Sequence, residues 1–200
     1  MSTILQIDSS LFGSQGQSGQ LARQFVEKYT QTRTVDKVIY RDLGSEPIPH
    51  LTAESFQGFS LPEEERNEHQ KSIASLSDRL ISELNEADVL VMGLPLYNFT
   101  MPSTLKTYFD HIARAGITFR YTEQGPQGLL KGKKAYILAA RGGEYQGTPM
   151  DTQTALIKHF LGFIGITDVE FIYAEGLAKG GDAREVALGK AAERIDQLVA

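Results

Sequence analysis

Ile4-Leu5-Gln6-Ile7-Asp8 runs into Ser9-Ser10-Leu11-Phe12-Gly13-Ser14-Gln15-Gly16-Gln17-Ser18, and Leu21, Phe25 and Tyr29 then recur at helical spacing. A short apolar run bounded by hydroxyl and glycine residues suits a buried strand, and the spaced apolar residues mark one face of a helix. The opening unit is strand, loop, helix, with Ser18 placed to cap the helix. The alternation continues. Residues 35–41 read as a second strand. After an irregular stretch holding Pro47, Pro49 and Pro62, a long helix is marked by Ile73, Leu76, Leu80, Ile81 and Leu84. Glu63, Glu64 and Glu65 are expected at its start, where the helix dipole favours acids. Residues 89–94 read as a third strand, and Leu105, Tyr108, Phe109 and Ile112 as a helical face. A fourth strand over 135–140, a helix over 156–163 and a fifth strand over 169–173 follow. Ala187, Ala191, Ile195 and Leu198 line a last helix.

Strands alternating with helices predict a parallel sheet covered on both faces, an α/β three-layer sandwich. Strands buried on both faces read as continuous apolar runs, which fits the first, third and fourth and places them centrally. Asp36 and Lys37 in the second strand, and Asp168 and Glu170 beside or within the fifth, mark those two as edges. The expected order is 2-1-3-4-5, an arrangement that binds ligands at the carboxyl ends of strands one and three. No internal repeat or linker interrupts the chain, so residues 1–200 read as one domain.

Composition narrows the chemistry. The 200 residues include no cysteine, which excludes disulfides, iron–sulfur clusters, thiolate zinc sites and a cysteine nucleophile. Any redox role needs a borrowed cofactor. The net charge of −5 has its acidic excess in the first hundred residues, so neither half offers the basic footprint a nucleic acid requires. No segment is apolar enough to span a membrane, and the start lacks the features of a secretion signal, so the chain is expected in the cytoplasm. For that reason the sequon Asn98-Phe99-Thr100 is set aside. None of His50, His69, His111 and His159 is paired with another at metal spacing. Glu65 and His69 at i, i+4 read more simply as a solvated helix face, so no metal is expected.

Three loops share the predicted binding edge. The first, residues 9–18, offers glycines for close backbone approach and hydroxyl donors ahead of a helix N-terminus, which suits a phosphate. It lacks the Gly-Lys-Ser/Thr of a triphosphate loop and the Gly-x-Ser-x-Gly of a hydrolase elbow. The second, Pro95-Leu96-Tyr97-Asn98-Phe99-Thr100-Met101-Pro102, holds two aromatics between prolines, a platform for a planar ligand. The third, Arg141-Gly142-Gly143-Glu144-Tyr145-Gln146-Gly147, has paired glycines whose N–H groups can face an electron-rich ring edge. Taken singly, each loop reads as well as an ordinary turn or packing loop, and Arg141 as a structural ion pair. Magnitudes favour the three acting together. Dipole and cap effects are worth about 0.3–1 kcal/mol each. A ligand of about 31 non-hydrogen atoms at ~0.3 kcal/mol per atom reaches ~9 kcal/mol only if ring and phosphate are both engaged.

At these loops the sequence resembles the bacterial FMN-dependent NADH:quinone oxidoreductases that also act as azoreductases, a family with a flavodoxin-like fold. The resemblance runs over nearly the whole chain. It is most specific at residues 95–99, 108–110, 114–123 (Arg-Ala-Gly-Ile-Thr-Phe-Arg-Tyr-Thr-Glu), 141–143 and 160–168. It implies that Ser10, Gly16, Gln17 and Ser18 hold the FMN phosphate. Leu96, Tyr97, Asn98 and Phe99 would line the isoalloxazine, and Ala140, Arg141, Gly142 and Gly143 would meet its pyrimidine end. Gly16 departs from the serine common at that position, which removes one hydroxyl contact. The resemblance further implies a homodimer, NADH or NADPH as donor, and quinones and aromatic azo compounds as acceptors. Tyr121 and Phe163 would wall the substrate pocket, although Phe163 equally fits a core position. The cofactor would carry the chemistry, so no catalytic side chain is assigned. Residues 51–62, with Phe56 and Phe59, are expected to shape substrate choice. A flavodoxin-type electron carrier, sharing fold and phosphate loop but lacking a nicotinamide site, stands as the alternative.

Overall fold

The computed structural model describes residues 2–200, apart from the side chain of Ser14. Five parallel strands form the sheet: β1 (Thr3–Asp8), β2 (Lys37–Asp42), β3 (Val89–Pro95), β6 (Lys134–Ala140) and β7 (Asp168–Ala174), in the order β2-β1-β3-β6-β7. Counting only these five, that is the expected 2-1-3-4-5. β1, β3 and β6 are central, as their apolar runs required. The runs are continuous because successive side chains enter opposite faces. Leu5, Ile7, Leu90, Met92 and Ile137 join one buried cluster, while Ile4, Val89, Val91, Tyr136 and Leu138 join the other.

Helices α3 (Glu68–Glu86), α4 (Ser103–Ile112) and α5 (Thr152–Ile164) cover the first face, and α1 (Gln17–Thr32) and α6 (Ala183–Val199) the second. Three local expectations need correction. Glu63, Glu64 and Glu65 do not open the long helix. They form a separate 3-10 turn, and α3 starts after Asn67, whose side chain accepts from Gln70 N while Gln70 returns a bond to Asn67 N. This reciprocal cap outcompetes the weaker dipole preference of the three glutamates. The second strand begins at Lys37 rather than Val35, since Asp36 N donates to Ser2 O outside the strand. Ser18 does not cap α1. A 3-10 turn at Gly13–Gln15 delivers the chain to the helix earlier, and Gly16 is the N-cap.

Two elements lay hidden in stretches that read as irregular. One is the short helix α2 (Ala53–Gly58), capped by Thr52. The other is an antiparallel hairpin outside the main sheet, β4 (Phe119–Thr122) with β5 (Gly125–Gly128). The hairpin docks by backbone contact. A Cβ on Gly128 would lie 2.1 Å from Gly165 N, just past the end of α5. Among the described residues, no helix is long and apolar enough to cross a membrane.

Gly128→Ala is expected to destabilise the protein by about 1–3 kcal/mol, the usual cost of overpacking. Gly189→Ala, in α6 with open space around it, should stabilise by about 0.5–1 kcal/mol through helix propensity. Urea denaturation of both variants checks the pair.

Candidate functional site

The carboxyl ends of β1, β3 and β6 carry three loops that meet at one groove. In the first, Ser9 Oγ donates to Gly93 O (2.8 Å) and Phe12 N donates to Ser10 Oγ (3.2 Å). Gly13 N closes on Ser10 O (3.0 Å). The first turn of α1 then leaves the N–H groups of Gln17, Ser18 and Gly19 without helical partners. Ser18 is buried, and its Oγ has no partner among the described residues. A buried hydroxyl without a partner beside free helix N–H groups fits a phosphate. Gly16 leaves room that the Ser10 side chain takes up. A Cβ there would fall 2.2 Å from Ser10 Oγ, so the loop holds the Ser10 hydroxyl where a serine at 16 would compete with it.

The second loop turns tightly. Tyr97 and Thr100 exchange backbone hydrogen bonds of 3.0 Å in both directions, with Asn98 (φ 49°) and Phe99 (φ 63°) both left-handed between them. Side chains other than glycine pay of order 1 kcal/mol or more for such a conformation, and it persists only where the surroundings impose it. Those surroundings come from the start of α5. Gln153 Nε2 donates to Pro95 O (2.9 Å) and Thr100 O (3.2 Å), and Thr152 Oγ1 donates to Phe99 O. The Tyr97 hydroxyl reaches back to Ser10 Oγ (3.2 Å) and ties this loop to the first.

In the third loop the carbonyls of Arg141, Gly142 and Gly143 accept from Leu177, Ala178 and Gly176. The N–H groups of Gly142 and Gly143 remain unpaired among the described residues, leaving donors for a ring edge. Arg141 is different from its neighbours. Its guanidinium is fully buried, pairs with Asp151 (2.9 Å) and Glu175 (3.0 Å), and donates to Thr154 Oγ1 (3.0 Å). Its Nε has no partner among the described residues, and the two ion pairs give the side chain the structural role that its sequence also allowed. Tyr145 links this loop to the second by an edge-on contact with Phe99, centroids 5.9 Å apart.

Two adjoining cavities share Tyr97. One of about 160 Å³ is lined by Ser10, Gly16, Gln17, Ser18, Ala140 and Arg141, together with Phe12, Pro95, Tyr97 and Leu177. The other, about 570 Å³, is lined by Leu96, Tyr97 and Asn98 with Leu11 and residues Thr100 to Ser103. The structure thus brings most of the expected cofactor residues together. Gly142, Gly143 and Phe99 stand beside the cavities in the same loops. Tyr121 and Phe163 line neither cavity. They flank Phe119 instead, Tyr121 edge-on at 5.4 Å and largely exposed, Phe163 tilted at 4.3 Å and half-buried. Sequence reading missed the helix start Asp151-Thr152-Gln153-Thr154. An aspartate with a threonine three residues on is a cap signal, and Asp151 does accept from Thr154 N (3.1 Å).

A doubly wound parallel sheet with a groove at the carboxyl ends of β1 and β3 defines a mononucleotide-binding class of α/β protein. The chain belongs to the Flavodoxin_2 family, of flavodoxin-like fold, which matches residues 2–199. It is 50% identical over 200 residues to an FMN-dependent NADH:quinone oxidoreductase of Cellvibrio japonicus, covering all of both chains. It is 47% identical over 198 residues to the protein of the same name in Azotobacter vinelandii, covering 99% of this chain and 100% of that one. Among solved structures, an azoreductase of Bacillus anthracis superimposes with a TM-score of 0.89 at 29% identity, covering 100% of this chain and 99% of that one.

The Arg141 network carries a pH signature. Burial pushes the Asp151 carboxyl upward, but hydrogen bonds from Arg141 and Thr154 outweigh it and hold the group below its ordinary value. A carboxylate depressed in the folded state stabilises the fold above its unfolded value near 4, and that stability is lost as pH falls through the lower folded value. Asp151→Asn should therefore lower stability at pH 7 and flatten the acid limb. Urea midpoints from pH 6 to pH 2 check both.

Proposed function

We propose that this chain is an FMN-dependent NAD(P)H:quinone oxidoreductase with azoreductase activity, a single domain over residues 1–200 working as a homodimer. The observation that carries the reading is the convergence of phosphate-type, platform and paired-glycine loops on one groove, with Ser18 Oγ buried and unpartnered within it. Relatives about half identical over the full length are named FMN-dependent NADH:quinone oxidoreductase, and the structurally similar Bacillus anthracis protein is named an azoreductase. Held there, FMN would supply two-electron redox chemistry between NADH or NADPH and a quinone or an aromatic azo compound, in a ping-pong cycle. Cleaving an azo bond to two amines takes four electrons, hence two rounds.

The chain's own residues bind and orient. Ser10, Gly16, Gln17 and Ser18 hold the phosphate through hydroxyls and helix N–H groups. Leu96, Tyr97, Asn98 and Phe99 form the ring platform, kept rigid by Gln153 and Thr152. The N–H groups of Gly142 and Gly143, beside Ala140 and Arg141, stabilise negative charge on the pyrimidine edge. Tyr121 and Phe163 line neither cavity of their own chain, and Phe163 packs against the core; presented by a second copy, their outer edges would wall the substrate pocket. Leu11, Phe12 and Phe99, all exposed around the groove, supply an apolar rim for that association. A cytoplasmic setting suits the supply of nicotinamide donor.

The flavin band in the visible spectrum, with steady NADH oxidation that requires a quinone, tests the reading. Bound flavin without NADH turnover supports the electron-carrier alternative instead. Tyr121→Ala is expected to raise the quinone KM about 2- to 12-fold, the worth of one aromatic contact, while FMN affinity stays unchanged. Sedimentation of the purified protein at the mass of a dimer completes the check.

A further inference from the structure

Asp8, the last residue of β1, is fully buried. Its carboxylate occupies room left by two glycines. A Cβ on Gly93 of β3 would come within 3.0 Å of Oδ1, and a Cβ on Gly19 of α1 within 3.0 Å of Oδ2. The negative group thus lies against the first turn of the helix whose N–H groups face the cavity. Its hydrogen-bond partners are neutral: Gln6 Nε2 donates to Oδ1 (3.3 Å) and the Tyr40 hydroxyl to Oδ2 (3.0 Å). The charged and titratable groups facing it are Tyr40 and Asp42 from β2 and Arg23 from α1, while β3 presents only Gly93. No ion pair is formed with Arg23.

Among the described residues lining the smaller cavity, no free cation offsets this charge; Arg23 faces Asp8 from α1 without lining that cavity. Arg141 is the single basic residue lining the smaller cavity, and its guanidinium is committed to Asp151 and Glu175. A second carboxylate, Asp42, backs the same loop, with Oδ2 3.0 Å from where a Gly13 Cβ would stand. Asp8 therefore draws on the positive end of α1 that a phosphate would use, and its charge is of the same sign as a phosphate held there.

We infer that Asp8 is a built-in electrostatic counterweight at the phosphate end of the groove, making the hold on a phosphorylated flavin depend on proton concentration while leaving the hold on the ring unaffected. The inference rests on the proposed flavin reading. Burial raises the Asp8 acid above its ordinary value, against the opposing hydrogen bonds of Gln6 and Tyr40. Protonation removes the repulsion. The preference for FMN over riboflavin should fall as pH rises through the titration of Asp8, and the phosphate's own second ionisation is common to every variant compared.

The test is fluorescence-quench titration of the apoprotein with FMN and with riboflavin from pH 4 to pH 9. Asp8→Asn is expected to tighten FMN about tenfold at pH 8. Riboflavin affinity should not move, and the FMN/riboflavin ratio should vary less with pH than in the native chain. Tyr40→Phe, on the half-exposed edge strand, removes a donor to the carboxylate and should shift the midpoint of the ratio to higher pH; it serves if Asp8→Asn does not fold. An unchanged ratio in a folded Asp8→Asn, or in Tyr40→Phe an unmoved midpoint, overturns the counterweight while leaving the flavin reading intact. Failure of both flavins to bind the native chain overturns both.

Discussion

One buried guanidinium organises the groove. Arg141 leaves the end of β6 and reaches Asp151 at the start of α5 and Glu175 at the end of β7, while its ring-like plane lies 4.9 Å from the centre of Tyr173. Each partner passes the constraint on. Glu175 also accepts the N–H groups of Tyr145 and Gln146, which shapes the third loop. Asp151 caps α5, and the next two residues, Thr152 and Gln153, grip the carbonyls of the second loop. Removing one member of such a buried pair costs about 3–5 kcal/mol, because the remaining charge is stranded. The left-handed pair Asn98 and Phe99 is affordable only inside this frame.

The central sheet was legible because its cause is local. A strand covered on both faces must be apolar at every position, so β1, β3 and β6 announce their places in composition alone, and the charged strands fall to the edges. The meeting of the three loops was legible for a related reason: the strand order makes them neighbours. The partners of Arg141 lie 10 and 34 residues away, and no local pattern reports such a contact. The hairpin escaped notice because Gly125-Pro126-Gln127-Gly128 has no alternation and reads as a turn; its strand character comes from docking on the backbone at Gly165. The start of α3 turned on a single reciprocal cap at Asn67 and Gln70, a stronger local signal than the acidic run that precedes it.

Charge at the groove is arranged sparingly. The first loop offers hydroxyls and N–H groups but no free cation, and two carboxylates stand behind it. Donors that are neutral and fixed discriminate by geometry rather than by attraction, which suits a group that must be held in one orientation. Gly16 belongs to the same economy of space, since the Ser10 hydroxyl fills the position that a side chain there would occupy.

The hairpin β4–β5 stands apart from the sheet and is fastened through glycine backbone, with Phe119 as its one deeply buried aromatic. Tyr121, two residues on, projects largely into solvent and bears no load for the core. Position 121 is therefore decoupled from folding: its side chain can be exchanged without disturbing the packing around Phe119 or the three loops at the groove, so the outer face of the hairpin can change in character while the fold stays as it is.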